Sequence, residues 1–138
     1  MMIVLIDTNI LLDVLQNRQP HYHDSAAVWN LVENNKLLGY VSVISFNNAF
    51  YVLRKQIGSA AALDAIKLVR SAFKVVPLDE GVLDGAISSC GADLEDAIQS
   101  SAATRVDAEY IITRNVKDFA RYKVPAVTAE EFLALFRA

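Results

Sequence analysis

Residues 3–15 read IVLIDTNILLDVL, an aliphatic run that ends in an acidic residue and is followed by a second apolar stretch. The run Ile3–Ile6 is short and apolar throughout, which is typical of a strand buried on both faces of a parallel sheet. Apolar residues resume after Asp7 at helical spacing, so we expect a helix over residues 8–16. Asp7 therefore lies between a buried strand and a helix, where a carboxylate is costly unless other groups pair with it.

Short apolar strands and helical segments alternate along the rest of the chain. Further strands are expected at residues 37–43, 74–77, 110–113 and 126–127. Helices are expected at residues 21–34, 45–56, 60–73, 80–90, 94–106 and 116–122. Thr128 and Glu131 form a capping-box pattern ahead of a last helix. This alternation predicts an α/β fold, a three-layer α/β/α sandwich with a central, mainly parallel sheet.

The composition is that of a globular chain. It has 138 residues, of which 54% are hydrophobic and 21% charged, and this fits a single domain over residues 1–138. No apolar run approaches the roughly 20 residues that span a bilayer. The single cysteine, Cys90, permits no internal disulfide. We therefore expect a cytoplasmic protein with no membrane contact.

The charge balance gives no global argument for nucleic-acid binding. The chain has 13 basic and 16 acidic residues, a formal net charge of −3, whereas strong nucleic-acid binding usually needs positive charge. Basic residues do cluster locally, at Arg54 and Lys55 and again within residues 114–123. Such clusters either contact phosphates or form solvated helix faces, and the sequence leaves both roles open.

Three carboxylates are expected to meet at one edge of the sheet. Asp7 follows the first strand, Asp96 lies in the first helical turn of DLEDAIQSSAA (residues 93–103), and Asp118 follows the strand in YIITRNVKDF (residues 110–119). Ligands of parallel sheets bind at the carboxyl ends of the strands. Clustered carboxylates raise one another's pKa, and a divalent cation relieves this repulsion. Oxygen ligands favour Mg²⁺ or Mn²⁺, so the three acids predict a site for one of these ions.

Two groups of residues also have a purely structural explanation. Asp93 is a natural N-cap, and the helix dipole favours acidic residues in a first turn. Large aromatic side chains at apolar helical positions are expected in the core or in an interface rather than as stacking platforms for bases. These side chains are Trp29, Phe50, Tyr51 and Phe73.

Together, the motifs around Asp7, Asp96 and Asp118 resemble the PIN domain family, and especially its small bacterial members of the VapC toxin type. The resemblance covers essentially the whole chain. It implies an α/β/α sandwich and a metal-dependent ribonuclease whose acidic quartet binds one or two Mg²⁺ or Mn²⁺ ions. On this basis Asp7, Asp96 and Asp118 are the first, third and fourth acids, with Asn115 beside the last. The resemblance also implies a homodimer and, for a toxin of a type II toxin–antitoxin pair, an antitoxin partner.

The second acid of that pattern is missing. In SVISFNNAFYVLRK (residues 42–55), the position where the family usually carries Glu aligns with Asn48. An amide oxygen can bind a metal but adds no negative charge, and Asn47 takes this position if the register differs by one residue. The sequence therefore leaves a second interpretation open: a PIN-fold module that binds RNA or a protein through a weakened or inactive metal site.

The resemblance implies metal-assisted hydrolysis of RNA phosphodiester bonds. Asp7 is then the central ligand, and Asp96 and Asp118 complete the site directly or through water. Thr113 and Asn115 are expected to orient water or phosphate by hydrogen bonding, with Asp93 as a further supporting acid. Phosphate contacts near the mouth of the cleft are expected from Arg114, Lys117 and Arg54.

Two other families fit less well, although the first of them also begins with a strand that ends in Asp. A haloacid-dehalogenase-type phosphatase expects a second Asp two residues later, where this chain has Asn9. A response-regulator receiver expects a pair of acids before the first helix and a Lys after a late strand, and neither is clear here.

Overall fold

A computed structural model describes residues 1–137, so Ala138 of the predicted 1–138 domain lies outside the described residues. The strands are β1 (Ile3–Ile6), β2 (Leu38–Ser42), β3 (Lys74–Val76), β4 (Tyr110–Ile112) and β5 (Ala126–Val127). They form one sheet in the order β3-β2-β1-β4-β5, and every neighbouring pair is parallel. The predicted parallel sheet is confirmed, with β1 at its centre.

Helices connect successive strands, as parallel pairing requires. They are α1 (Thr8–Leu15), α2 (Tyr22–Glu33), α3 (Val43–Ile57), α4 (Ser59–Ala72), α5 (Glu80–Ser89), α6 (Leu94–Arg105) and α7 (Ala129–Arg137). A 3₁₀ helix, Val116–Phe119, follows β4. Among residues 1–137, no helix combines the length and the apolar content needed to cross a membrane.

Helices cover both faces of the sheet, which confirms the three-layer α/β/α sandwich. Val4 and Ile6 belong to a buried cluster with α1, α2, α4 and α7. Leu5 belongs to a cluster on the other face, with α5 and α6. Side chains alternate between the faces of a strand, so a strand covered on both sides must be apolar at every position. A smaller cluster joins α3 to α1 and α4 through Leu12 and Leu53.

Local hydrogen bonds set several helix ends. The predicted capping box before α7 is present: Thr128 N–H donates to Glu131 Oε1 at 2.9 Å, and Glu131 N–H donates to Thr128 Oγ1 at 3.1 Å. The helix α3 begins two residues earlier than predicted because Ser42 Oγ accepts from Ile44 N–H at 3.4 Å. The predicted helix over residues 116–122 is instead the shorter 3₁₀ helix Val116–Phe119.

Candidate functional site

The site forms where the central strands β1 and β4 end side by side. Ile6 is paired with Ile112 in the parallel register, so the next residues, Asp7 and Thr113, leave the sheet together. The backbone N–H of Asp7 donates to Ile112 O at 3.0 Å. The sheet therefore places a carboxylate and a hydroxyl side by side although they are 106 residues apart in the chain.

The carboxylate of Asp7 is held by three donors. Its Oδ1 accepts from the backbone N–H of Thr8 at 2.8 Å, which makes Asp7 the N-cap of α1. Its Oδ2 accepts from Thr113 Oγ1 at 2.8 Å and from Asn9 Nδ2 at 3.4 Å. Asp7 is only 7% exposed. These donors offset part of the cost of burying the charge, and they fix the direction in which the carboxylate points.

Burial is the main influence on Asp7 and raises the pKa of its carboxyl group. Hydrogen bonds from Thr113 and Thr8 lower this pKa, the nearby Asp118 carboxylate raises it, and the Arg114 charge lowers it. Burial prevails, so the ionised form of Asp7 is less favourable in the folded protein than in water. A cation beside Asp7 would relieve that cost.

The side chain of Thr113 is not open to the cleft, although it was predicted to orient water or phosphate there. It is fully buried, and its Oγ1 donates to Asp7 and accepts from Asn115 N–H at 3.0 Å. Asn9 Nδ2 lies 3.4 Å from the same oxygen. Because this hydroxyl is buried and already bonded, it positions Asp7 rather than orienting water or phosphate in the cleft.

Asp7 and Asp96 line one open cleft of about 400 Å³. Asn48 also lines this cleft, whereas Asn47 is exposed and does not. Of the two asparagines, Asn48 is therefore the one that faces the cleft, and its place as the second ligand stays a prediction. The remaining lining residues are Thr8, Asn9, Leu12, Tyr51, Val52, Glu95 and Asn115.

Asp118 lies in an adjoining recess of about 390 Å³ that it shares with Asp96, Asp93 and Lys117. Asp118 is exposed, yet its charge raises the pKa of both Asp7 and Asp96. Asp96 thus lies between the two recesses, and the three predicted acids form one electrostatically coupled group.

Burial and the surrounding carboxylates raise the pKa of Asp96 to about 6. Burial is the largest cause, followed by the charges of Asp93, Asp118, Asp7 and Glu95. Within residues 1–137, no three acidic, histidine or cysteine side chains converge closely enough to hold an ion by themselves. The group is therefore a loose cluster of acids and not a closed protein cage.

Glu95 is a cleft residue that was not predicted as part of the site. Burial and the charges of Asp7 and Asp93 raise the pKa of Glu95, and the adjacent Asn48 side chain lowers it. The side chains of Asn48 and Glu95 are close, but their geometry is not that of a hydrogen bond: the buried Nδ2 of Asn48 has no hydrogen-bond partner among residues 1–137. The signal in the sequence was the position of Glu95 directly before Asp96, in a first helical turn where acidic residues are common for structural reasons.

Asp93 acts as the N-cap of α6. Its Oδ1 accepts from the backbone N–H of Asp96 at 3.2 Å. The structural explanation for Asp93 is thus present in the fold, and the same hydrogen bond fixes the turn that carries Asp96 toward the cleft.

Arg114 lies in a separate pocket of about 480 Å³, beside Ser25 and Glu130. Its Nε is 3.2 Å from Oδ2 of Asp13, which is fully buried and also accepts from Ser25 Oγ at 3.0 Å. The Nε–H is not directed at the carboxylate, so this contact is an ion pair without a hydrogen bond. Arg114 is thus drawn toward Asp13, and its expected phosphate contact stays a prediction.

Beside the cleft, α3 carries an aromatic ring and two cations: Tyr51, Arg54 and Lys55. Tyr51 is 52% exposed, although its helical spacing predicted a core or interface position, and it lines the cleft. The Arg54 guanidinium lies 5.5 Å and Lys55 Nζ 4.3 Å from the centre of the Tyr51 ring. Arg54 and Lys55 therefore bring positive charge next to the cleft residue Tyr51, and Lys117 brings it to the adjoining recess.

We expect the metal-free protein to lose stability as the pH rises from 3.8 to about 6, because Asp96 is a stronger proton binder when folded. A group whose pKa is higher in the folded than in the unfolded protein stabilises the fold fully at a pH below its unfolded pKa. This stabilisation is lost as the pH rises through the folded pKa. The raised pKa values of Asp7 and Glu95 act in the same direction. Thermal melts in EDTA across this range should show the loss, and Asp96→Asn should reduce it. An identical pH profile for the variant would contradict the assignment.

Comparison with known proteins gives the family of the chain and one named relative. A family model described as PIN domain matches residues 3–117. Ribonuclease VapC1 of Aquifex aeolicus (strain VF5) is 27% identical over 134 residues, which cover 94% of this chain and 92% of that protein.

Solved structures resemble the fold over nearly its whole length. A toxin–antitoxin complex from Klebsiella pneumoniae matches with a TM-score of 0.69 and 23% identity, over 91% of this chain and 97% of that chain. Mycobacterium tuberculosis VapC20, described as a Sarcin-Ricin loop cleaving toxin, matches with a TM-score of 0.69 and 10% identity, over 87% and 96%. Because the family model spans the chain from β1 into the 3₁₀ helix, including Asp7, Asn48 and Asp96, the chain belongs to the PIN domain family.

Proposed function

We propose that this protein is an endoribonuclease that hydrolyses RNA phosphodiester bonds with Mg²⁺ or Mn²⁺. The observation that carries the proposal is the buried Asp7, fixed by three donors and open to the same cleft as Asp96, Glu95 and Asn48. RNA as the substrate is supported by the names of the relatives, one a ribonuclease and one a toxin that cleaves the Sarcin-Ricin loop.

The cleft residues fit a hard divalent cation. All candidate donors are carboxylate or amide oxygens, which suit Mg²⁺ and Mn²⁺. The acids raise one another's pKa, so they would gain from a bound positive charge. The acids do not close around a point, and this agrees with an ion such as Mg²⁺, which is commonly held by one or two carboxylates and keeps several waters.

The roles of the residues follow from their places in the cleft. Asp7 would hold the ion in a fixed position because Thr113 and Thr8 fix its carboxylate. Asp96 and Asp118 would hold it directly or through water, and the ion would lower the pKa of Asp96 from its metal-free value of about 6 and so favour the ionised ligand. When bound, the ion supplies an activated water and positive charge for the scissile phosphate.

RNA contacts would come from the rim of the cleft. Tyr51 offers an exposed ring beside the acids, with Arg54 and Lys55 next to it. Aromatic rings stack on unpaired bases, and cations bind the phosphates. Lys117 is the corresponding cation in the recess of Asp118. Local charges of this kind reconcile a net charge of −3 with an RNA substrate.

A second candidate function is favoured by Asn48. An amide in place of an acid, together with the loose spacing of the remaining acids, also suits a PIN-fold module that binds RNA or a protein without cleaving it. Metal-dependent cleavage by the purified protein separates these two functions.

As to partners, we propose that the protein is the toxin of a type II toxin–antitoxin pair, located in the cytoplasm and bound to an antitoxin protein. The toxin–antitoxin complex among the similar structures supports this. A homodimer stays a prediction, consistent with exposed apolar side chains on several helices. These include Leu63, Leu68, Ile87 and Leu135.

The nuclease proposal predicts that purified protein cleaves single-stranded or hairpin RNA with Mg²⁺ or Mn²⁺, stops in EDTA and recovers when excess Mn²⁺ is added. The physical reason is that the acids alone bring no positive charge to the phosphate. Gel analysis of labelled RNA measures the cleavage. Protein carrying Asp7→Asn, purified in parallel, controls for contaminating nucleases. Cleavage that persists in EDTA would contradict the metal role, and RNA binding without cleavage in either metal would favour the binding module.

A further inference from the structure

A buried hydrogen-bonded group lies directly behind the acidic cleft. Ser45 Oγ accepts from Thr8 Oγ1 at 2.8 Å and from Gln99 Nε2 at 2.7 Å. Ser45 and Gln99 are both fully buried. We refer to the side chains of Thr8, Ser45 and Gln99 as the Ser45 junction. It joins α1, α3 and α6, which come from distant parts of the chain.

Each member of the Ser45 junction lies next to a cleft residue. Thr8 follows Asp7 directly, Ser45 lies one helical turn before Asn48, and Gln99 lies one turn after Asp96. Residues three apart on a helix share a face. The junction therefore ties together the three helices that present Asp7, Asn48 and Asp96, at the ends of those helices that form the cleft.

The junction is not the arrangement that stability alone would favour. The Oε1 atom of Gln99 is buried and has no hydrogen-bond partner among residues 1–137. A buried carbonyl without a partner costs free energy, whereas an apolar side chain of similar volume at this place costs none. An inward-facing Gln is thus better explained by the bond that its Nε2 makes to Ser45 than by packing.

We propose that the Ser45 junction positions the cleft residues: by fixing α3 and α6 to the start of α1, it sets the spacing between Asp7, Asn48 and Asp96. The inference rests on the proposed metal-dependent function of that cleft. Ser45 and Gln99 are positioning residues, since both are fully buried and act through the helices, whereas Thr8 belongs to the junction and also lines the cleft. Groups that bond directly to metal-binding side chains typically change metal affinity or activity about 10–100-fold when removed, and we expect the lower end of this range for groups that act through helices.

The test compares Mn²⁺ affinity with stability. Gln99→Met removes the bond to Ser45 and the partnerless Oε1 while keeping the volume similar, so we expect an unchanged or higher melting temperature with Mn²⁺ binding weakened about 10-fold or more. Thr8→Val removes the other bond with little change in shape and should act in the same direction. Thr8→Ser keeps the hydroxyl and should restore the affinity relative to Thr8→Val. Isothermal titration with Mn²⁺ and thermal melts provide the two readouts.

The matched control is Ser100→Ala, which removes a buried hydroxyl from the same helix next to Gln99. Ser100 lines a different pocket, near Arg121 and Lys123, so its loss should leave Mn²⁺ affinity unchanged. Wild-type affinity in both Gln99→Met and Thr8→Val would overturn the inference while leaving the nuclease proposal intact. Wild-type protein that neither binds Mn²⁺ nor cleaves RNA would instead overturn the proposed function, and the inference with it.

Discussion

The Asp7→Asn variant is expected to cleave RNA more than about 100-fold more slowly than the wild-type protein. Removing a group that only supports a metal ligand typically costs about 10–100-fold, and removing the ligand itself should cost more. The amide oxygen can take the place of Oδ1 and keep the bond from Thr8 N–H, while the new NH₂ group faces Thr113 Oγ1, which can accept instead of donate, so we expect the fold to tolerate the change. What is lost is the charge of the residue that we place at the centre of the metal site. Cleavage rates at saturating Mn²⁺ measure the effect.

The same variant should be at least as stable as the wild type in EDTA at neutral pH. Burial disfavours the ionised form of Asp7, and the amide carries no charge to bury. Asp84→Asn, an identical change on the exposed surface of α5, is the matched control and should leave both cleavage and melting unaltered. Full activity of Asp7→Asn in a preparation free of contaminants would mean that the assigned site is wrong.

The Asn48→Glu variant should bind Mn²⁺ about 10-fold more tightly, because the number of carboxylate charges tunes divalent-cation affinity. Asn48 lines the cleft with Asp7 and lies against Glu95, so a new carboxylate there joins the cluster directly. Cleavage should rise at limiting metal. The metal-free protein should melt at a lower temperature because the added charge repels Glu95 and Asp7.

Asn47→Glu makes the same chemical change one residue earlier, at an exposed position outside the cleft. It should leave Mn²⁺ affinity close to that of the wild type. The double variant Asn48→Glu with Glu95→Gln keeps the charge of the cleft constant, and affinity close to that of the wild type would indicate that Glu95 supplies the charge absent at Asn48. If Asn48→Glu changes neither the Mn²⁺ affinity nor the melting temperature, Asn48 is not a metal ligand. Asp93 and Glu95 are then the next candidates for the second ligand.

Much of the fold follows from local patterns. The run Ile3–Ile6 is apolar because both faces of β1 are covered, and the caps at Asp93 and Thr128 depend only on residues within one turn. The start of a helix was less predictable where the capping residue also fits the preceding strand. Ser42 was counted within β2 and also caps α3.

The place of a side chain in the candidate site was predictable where a carboxylate follows a strand. It was less predictable where contacts between distant segments set the position of the side chain. Asp7 was identified from its place after β1. The pairing of Asp13 with Arg114 depends on two segments about a hundred residues apart, and nothing in the local pattern indicates it. Tyr51 does not lie in the core because its helix buries Ala49 and Leu53, a face from which Tyr51 points away, and the alternative that it lies in an interface stays a prediction.

The central position of β1 has a consequence for when activity arises during synthesis. β1 is translated first, but one of its two neighbours is β4, and Thr113 bonds to Asp7 across 106 residues. A nascent chain that ends before β4 has Asp7 without its hydroxyl partner and lacks Asp118 altogether. The ribosome therefore completes most of the chain before the cleft can assemble. If the protein is the nuclease that we propose, the growing polypeptide should not cleave RNA until β4 and the residues that follow it have been made and have joined the sheet.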